Sequence, residues 1–269
     1  METKLKAAGR QDLPWRGCTV MINSNSIPVD FEYPAHEDFF KNVQEMLPFQ
    51  NWCATCDQQL IFEKIMIQSI DMVEDVVLTL KFSAETTDSA GNQKKHAVWL
   101  TGASLHVLVV ITSEETRKQH AVLVACPRTS IGRASFLELP MIGIDSLGNV
   151  DGAPAKMLRD LGIQLQLDML LDITHLSSEE GRGIFTSPDS RDEFIRILLH
   201  SATMPEAEIA RMYDECGGSN ESSCKVHILP LSDMWKSTND AKALSALCLY
   251  LNLVAVNGLP ADGTSVTPS

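Results

Sequence analysis

Hydrophobic and polar positions change rhythm several times along the 269 residues. Phe39, Phe40, Val43, Met46 and Leu47 recur at near-helical spacing and predict a short amphipathic helix over residues 36–52. Leu60 to Ile70 and Asp75 to Ser83 show mixed alternation, which predicts two antiparallel strands around a turn. A polar turn from Asp88 to Asn92 leads into a strand from His96 to Leu100. Leu105 to Ile111 is a nearly continuous apolar run, the pattern of a strand buried on both faces. Beyond a charged turn at residues 113–119, His120 to Ala125 and Phe136 to Leu139 read as strands.

A short helix follows, with Asp151 predicted as N-cap, Pro154 suited to the first turn, and Gly162 free to take the left-handed conformation that ends it. Leu165 to Leu176 and Phe194 to Leu199 then predict strands, and Glu206 to Glu215 a helix. Residues 217–223 form a loop, Val226 to Leu231 a strand, and Asp240 to Val256 a closing helix rich in Ala and Leu. Residues 1–35 lack any sustained period and read as a mobile or loosely packed arm, and residues 258–269 as a disordered tail. No internal repeat is visible.

This order of elements predicts an α+β chain: an α/β/α sandwich around a mixed sheet over residues 103–257, preceded by a helix and a small antiparallel sheet over residues 36–102. The small sheet is too short to bury both its faces, so a dimer or a stable complex is expected to cover it.

Composition adds mainly exclusions. A content of 44% hydrophobic and 21% charged residues is that of an ordinary globular protein. The 22 basic and 35 acidic residues give a formal charge of −13, which argues against nucleic acid as a partner because phosphate backbones reward clustered Lys and Arg. No apolar run approaches the ~20 residues of a membrane-spanning helix, so no membrane partner is expected. The first thirty residues lack the apolar core of a secretory signal. An intracellular location is expected, the cytoplasm before an organelle. Seven scattered cysteines fit a reducing compartment and do not look like a disulfide framework. The lone Cys53-Ala-Thr-Cys56 motif has no second ligand pair for zinc and reads as free thiols at a helix end. His106 and His227, each inside an apolar strand, read as core or edge histidines with their hydrogen bonds satisfied.

Candidate chemistry gathers around Leu137-Glu138-Leu139-Pro140 and the stretch Pro154-Ala155-Lys156-Met157-Leu158-Arg159-Asp160-Leu161-Gly162-Ile163. These segments resemble a Nudix box whose metal-binding carboxylates have mostly been replaced. Arg128 four residues before Gly132, Gly162-Ile163-Gln164-Leu165, Ser187-Pro188 with Asp192-Glu193, and Trp235 to Leu244 resemble further segments of the ADP-ribose and ADP-sugar diphosphatase group of Nudix hydrolases, in order and spacing. The resemblance runs from about Phe39 to about Leu259 and implies the Nudix sandwich, dimerisation through the N-terminal sheet, and nucleoside-diphosphate sugars or ADP-ribose as substrates hydrolysed with Mg²⁺.

The departures fall where the chemistry is. In that family the helix reads Arg-Glu-apolar-x-Glu-Glu-x-Gly, and its glutamates gather Mg²⁺; here the corresponding positions hold Ala155, Lys156, Arg159 and Asp160. The Ala-Gly after Leu-Pro is Met141-Ile142, and the Gln before Arg128 is Cys126. Positions i, i+3 and i+4 share one helical face, so Lys156, Arg159 and Asp160 are expected to project together, two cations beside one carboxylate. Mg²⁺ requires hard oxygen ligands and gives up its waters reluctantly, so one Asp does not hold it there.

Two readings stand for that face. In one, the cations are drift on a solvated helix, with Lys156 and Asp160 forming an i,i+4 pair. In the other, Lys156 and Arg159 grip a diphosphate directly with Arg128 as third donor. Glu193 is the remaining candidate for a catalytic or metal-binding carboxylate with Asp160, or else a structural residue at a strand start. Glu138 either orients the box loop through backbone hydrogen bonds or ends a strand in solvent. Three functions follow: an impaired Nudix-fold binding or assembly subunit, an active Mg²⁺-dependent diphosphatase of ADP-ribose, ADP-glucose or UDP-glucose, and a metal-free nucleotide sensor.

Overall fold

A computed structural model describes residues 17–144, 149–177, 183–215, 224–257 and 259. The expected loop at 217–223, the tail beyond Gly258 other than Leu259, and the first sixteen residues of the expected arm lie outside the described residues. Contacts divide the chain into two units, residues 1–102 with 187–192, and residues 103–186 with 193–269.

The first unit holds β1 (Thr19–Ile22), β2 (Asn25–Phe31), α1 (Phe40–Glu45), α2 (Leu47–Thr55), β3 (Ile61–Val73), β4 (Val76–Thr87) and β5 (Gln93–Leu100). The described part of the expected arm is thus a hairpin. Asn23 and Ser24 take positive φ at its two-residue turn, and Val20, Ile22, Ile27 and Val29 are buried. Tertiary burial supplied what the short apolar stretches did not announce. The expected single helix over 36–52 is broken at Met46, whose extended backbone lets Pro48 sit in the first turn of α2. The five strands pair in sequence order, antiparallel except for the parallel β2–β3 pair. One face packs Ile65, Ile67, Leu80, Phe82 and Leu100 on Phe40, Val43 and Phe49 from the helices. Segment Ser187–Asp192 joins this unit: the Asp192 carboxylate accepts the backbone N–H of Thr101 at 2.7 Å, and Arg191 stacks over Trp99 at 4.4 Å.

The second unit comprises β6 (Ser104–Ser113), β7 (Gln119–Arg128), β8 (Arg133–Glu138), β9 (Met141–Ile144), β10 (Val150–Asp151), α3 (Ala153–Asp160), β11 (Leu171–Asp172), α4 (Ile173–Ser177), β12 (Ile184–Phe185), β13 (Phe194–Met204), α5 (Glu206–Glu215), β14 (Lys225–Pro230), α6 (Met234–Ser237) and α7 (Ala241–Asn257). Its nine described strands form one mixed sheet centred on β6, which runs parallel to β13 and antiparallel to β7 and β9. The central run from Val107 to Ile111 is fully buried, because helices cover both faces. On one face Val107, Val109 and Ile111 pack with Ala155, Met157 and Leu158 of α3 and Ile209 and Met212 of α5. On the other, Leu108 and Val110 pack with Ile173 of α4 and Ala243, Leu247 and Tyr250 of α7. This is the expected α/β/α sandwich.

The predicted strand at Leu165 to Leu176 is a correction. Only Leu171–Asp172 is a strand, and Asp172 turns the chain into α4 by accepting the backbone N–H of His175 at 2.9 Å. Cys126 and Cys224 form a disulfide, where the scattered cysteines read as those of a reducing compartment without a disulfide framework, because β7 and β14 bring them face to face across 98 residues of sequence.

Candidate functional site

The frame of the box is built from three directions. Leu137 and Leu139 pack toward α7, which leaves Glu138 between them on the α3 face of the sheet. The turn at Leu139-Pro140 is then held from both sides: the Pro140 carbonyl accepts the N–H of Val107 at 2.9 Å, and the Leu139 N–H donates to Asp240 Oδ2 at 3.3 Å. Asp240 is buried, pairs with the Lys242 ammonium at 2.9 Å, and receives the Lys242 backbone N–H at 3.3 Å. Thr238 Oγ1 donates to the Leu137 carbonyl and accepts the Asp240 N–H at 2.9 Å. The Thr238-Asn-Asp-Ala-Lys242 segment is therefore a cap on α7 and a clamp on the Leu-Pro turn at once. Sequence reasoning had noted the segment without assigning its parts. The signal available was Asp240 immediately before a run of helix formers, an N-cap pattern.

Beyond the turn, α3 begins at Gly152 and not at the expected Asp151, which belongs to β10. Gly152 has φ +107°, a conformation glycine supplies most cheaply, and a Cβ there would meet the Gly143 backbone at 3.6 Å. The other end is as expected: Gly162 has φ +86°, with Gly162 N–H donating to the Arg159 carbonyl and Ile163 N–H to Leu158. Ala155, Met157 and Leu158 face the core, so the position where the family carries Arg is occupied by a buried methyl group. Lys156, Arg159 and Asp160 are all exposed. The i,i+4 ion pair expected between Lys156 and Asp160 does not form among the described residues; solvation competes with so exposed a pair.

Arg128 is engaged by Glu138 through two of its nitrogens. Its Nε donates to Glu138 Oε2 at 2.9 Å and its Nη2 to Glu138 Oε1, a two-point pair in which the Glu138 side chain is buried. Glu138 thus neither orients the loop through backbone bonds nor ends in solvent. It neutralises Arg128, and this hydrogen bonding raises the pKa of Arg128 above its ordinary value. The β7–β8 ladder sets Val124 opposite Glu138, with Arg128 further along the same strand.

Glu193 precedes β13 and serves the β12–β13 hairpin: its carboxylate accepts Thr186 Oγ1 at 3.0 Å, and its carbonyl accepts the Thr186 N–H at 3.3 Å. Arg159 lines an open groove of about 790 Å³ with Asn149, Gln164, Leu165, Gln166 and Asp168. Arg128, Glu138, Lys156 and Glu193 do not line that groove. No group of three or more His, Cys, Asp or Glu side chains comes together as a metal site among the described residues. With two exposed cations flanking Asp160, the donor set does not fit Mg²⁺.

His106 lies in the same unit, buried, with Nε2 3.0 Å from Ser104 Oγ and Nδ1 without a hydrogen-bond partner. It is half satisfied and not the fully satisfied core histidine expected. Burial, followed by the Lys242 charge, pushes its pKa down to about 4, against a smaller upward pull from Asp240 and the Leu139 backbone. His227 is exposed on β14, as an edge histidine should be. Cys53 lies in the last turn of α2 and Cys56 caps it, both free, with burial pushing their thiols up to about 11 and about 12. That suits the reading of unreactive thiols at a helix end.

No family model matches the chain. Nudix hydrolase 14, chloroplastic, of Arabidopsis thaliana is 28% identical over 225 residues, covering 78% of this chain and 72% of the relative. A solved structure of an ADP compounds hydrolase aligns with a TM-score of 0.47 at 14% identity, over 76% of this chain and 99% of that one. The Leu-Pro turn and the glycine-ended helix are in place, the carboxylates expected of the box are not, and the chain is similar to a Nudix hydrolase.

Proposed function

We propose that this protein is a Nudix-fold binding or assembly subunit that does not hydrolyse nucleoside diphosphate derivatives. One observation carries the reading: the exposed face of α3 presents Lys156 and Arg159 beside Asp160, where a working box presents three glutamates. Metal-assisted hydrolysis needs an ion to activate water and offset charge developing on the diphosphate. The Lys156 ammonium and the Arg159 guanidinium repel that ion, and three further carboxylates hold partners of their own: Glu138 pairs with Arg128, Asp240 with Lys242, and Glu193 accepts from Thr186. The frame that positions the helix persists, which suits a surface for binding better than a centre for turnover. We place the protein inside the cell. The chloroplastic name of the relative makes an organelle the compartment to compare with the cytoplasm.

The test is an assay of the purified protein on ADP-ribose, ADP-glucose and UDP-glucose with Mg²⁺ or Mn²⁺. Turnover orders of magnitude below that of a relative with an intact box is expected. Robust metal-dependent turnover abolished by Glu193→Gln would establish an active diphosphatase instead. Calorimetry with ADP-ribose in EDTA separates the two forms of the binding reading. Heat lost in Arg159→Glu assigns a nucleotide to the groove, and its absence at millimolar ligand confines function to protein contacts.

A further inference from the structure

The register of β7 and β14 pairs Lys225 with Ala125 and continues one step outward to set Cys224 opposite Cys126. Their Cα atoms are 4.3 Å apart, the spacing of a narrow, non-hydrogen-bonded antiparallel pair. Among the described residues β14 pairs only with β7, so it is an edge strand held in the sheet by one ladder, with this bond beside its first residue. Cys126 is only 4% exposed, packed with Val124, Val226 and Ile228, whereas Cys224 is half-buried. The two sulfurs thus differ in access. Downstream of β14 lie Thr238 and Asp240, the residues that clamp the Leu139-Pro140 turn.

We propose that the Cys126–Cys224 bond is a reversible redox clasp on β14, opened by a dithiol reductant and closed by a disulfide oxidant. In opening, a thiolate of the dithiol attacks Cys224 Sγ, the Cys126–Cys224 bond breaks, and Cys126 leaves as a thiolate that takes up a proton. The second thiol of the reductant, deprotonated, then attacks the mixed disulfide. Cys224 leaves as a thiolate and is protonated, and the reductant departs as its own disulfide. Two electrons and two protons have passed to the protein, and the reverse sequence closes the clasp. The reduced protein keeps the β14 ladder from Lys225 to Pro230 but loses the tie that closes a 98-residue loop. Cys53 and Cys56 do not replace this pair, being free.

The experiment uses the full chain purified in air. Alkylation under denaturing conditions followed by peptide mass spectrometry should find Cys126 and Cys224 linked. Equilibration of the native protein in mixtures of reduced and oxidised dithiothreitol should convert the pair fully and reversibly, with the circular dichroism spectrum retained. Closing a loop of this length constrains the unfolded chain strongly, so reduction should lower Tm by at least about 5 °C. Cys224→Ser should melt with the reduced protein and ignore dithiothreitol. Both cysteines alkylated before any reduction, a bond that opens only on unfolding, or an unchanged Tm on reduction would each overturn the proposal. Because these three readouts come from the wild-type chain, they stand whether or not the variant folds.

Discussion

His106 lies inside the core, and its burial makes the residue sensitive to pH. Its folded pKa of about 4 lies below the ~6.5 of an unperturbed histidine. Above pH ~6.5 the ring is neutral in both states and costs nothing. As pH falls toward 4 the unfolded chain takes up a proton that the folded chain refuses, so stability is lost across that window and levels off below it. A shift of this size corresponds to about 3 kcal/mol at its full extent. His200, buried with its pKa also lowered by burial, acts in the same direction. Urea unfolding at pH 7.5 and pH 4.5 should show His106→Gln losing about 2 kcal/mol less than the wild type between the two conditions. Parallel losses in both proteins would show that protons are taken up elsewhere. The apolar alternation marked His106 as a strand residue. The Lys242 charge near it comes from a segment more than 130 positions away, which local pattern does not reveal.

For the elements, α3 shows how much a short helix owes to its ends. It has eight residues, a length at which propensity alone does not hold a helix in water. Its buried side, Ala155, Met157 and Leu158, docks it on the sheet, and Gly162 closes its last turn. A Cβ at Gly162 would meet nothing within 4 Å, so substitution there tests backbone conformation without a clash. Gly162→Val should destabilise the protein by about 1–2 kcal/mol in urea unfolding, since a β-branched residue resists the left-handed conformation. A neutral result would mean that the chain leaves the helix by another route. These ends were legible: Pro154 and Gly162 sit where the helix starts and stops. The start itself fell one residue later than Asp151, because β10 pairs Asp151 with Gly143 and thereby claims it for the sheet. In the same way the apolar residues around Leu165 to Leu176 suggested a strand, and the Asp172 cap made part of them a helix.

On the scale of the whole molecule, the first unit leaves apolar side chains outside at the tip of its longest hairpin. Val73, Val76 and Leu78 are more than half exposed, while the helix-covered face of the same sheet is fully packed. Exposed apolar groups gathered at one hairpin tip suit an interaction surface. Light scattering at micromolar concentration should find a dimer or a stable co-purifying complex, and Val76→Lys/Leu78→Lys should shift it toward monomer. A monodisperse monomer in the wild type, with no companion protein, would remove assembly from the functional reading.

The sequence by itself determined the sandwich, since periodicity two and periodicity 3.6 alternate in an order that few topologies satisfy, and it determined the chemical change in the box, since Lys156 and Arg159 are not carboxylates wherever they point. It also announced the end of α3, because Gly162 serves a local backbone need. Tertiary structure alone decided the partners. Glu138 was readable as a residue of the Leu-Glu-Leu-Pro segment, but its pairing with Arg128 depends on the register of β8 against β7. Asp240 reaches the Leu139 turn across 101 residues, and Cys224 meets Cys126 across 98. Local pattern carries the free energy of single elements, in which each residue interacts with neighbours three or four positions away. Ion pairs, disulfides and buried hydrogen bonds are set by the register of strands distant in sequence, and that register exists only once the sheet has formed.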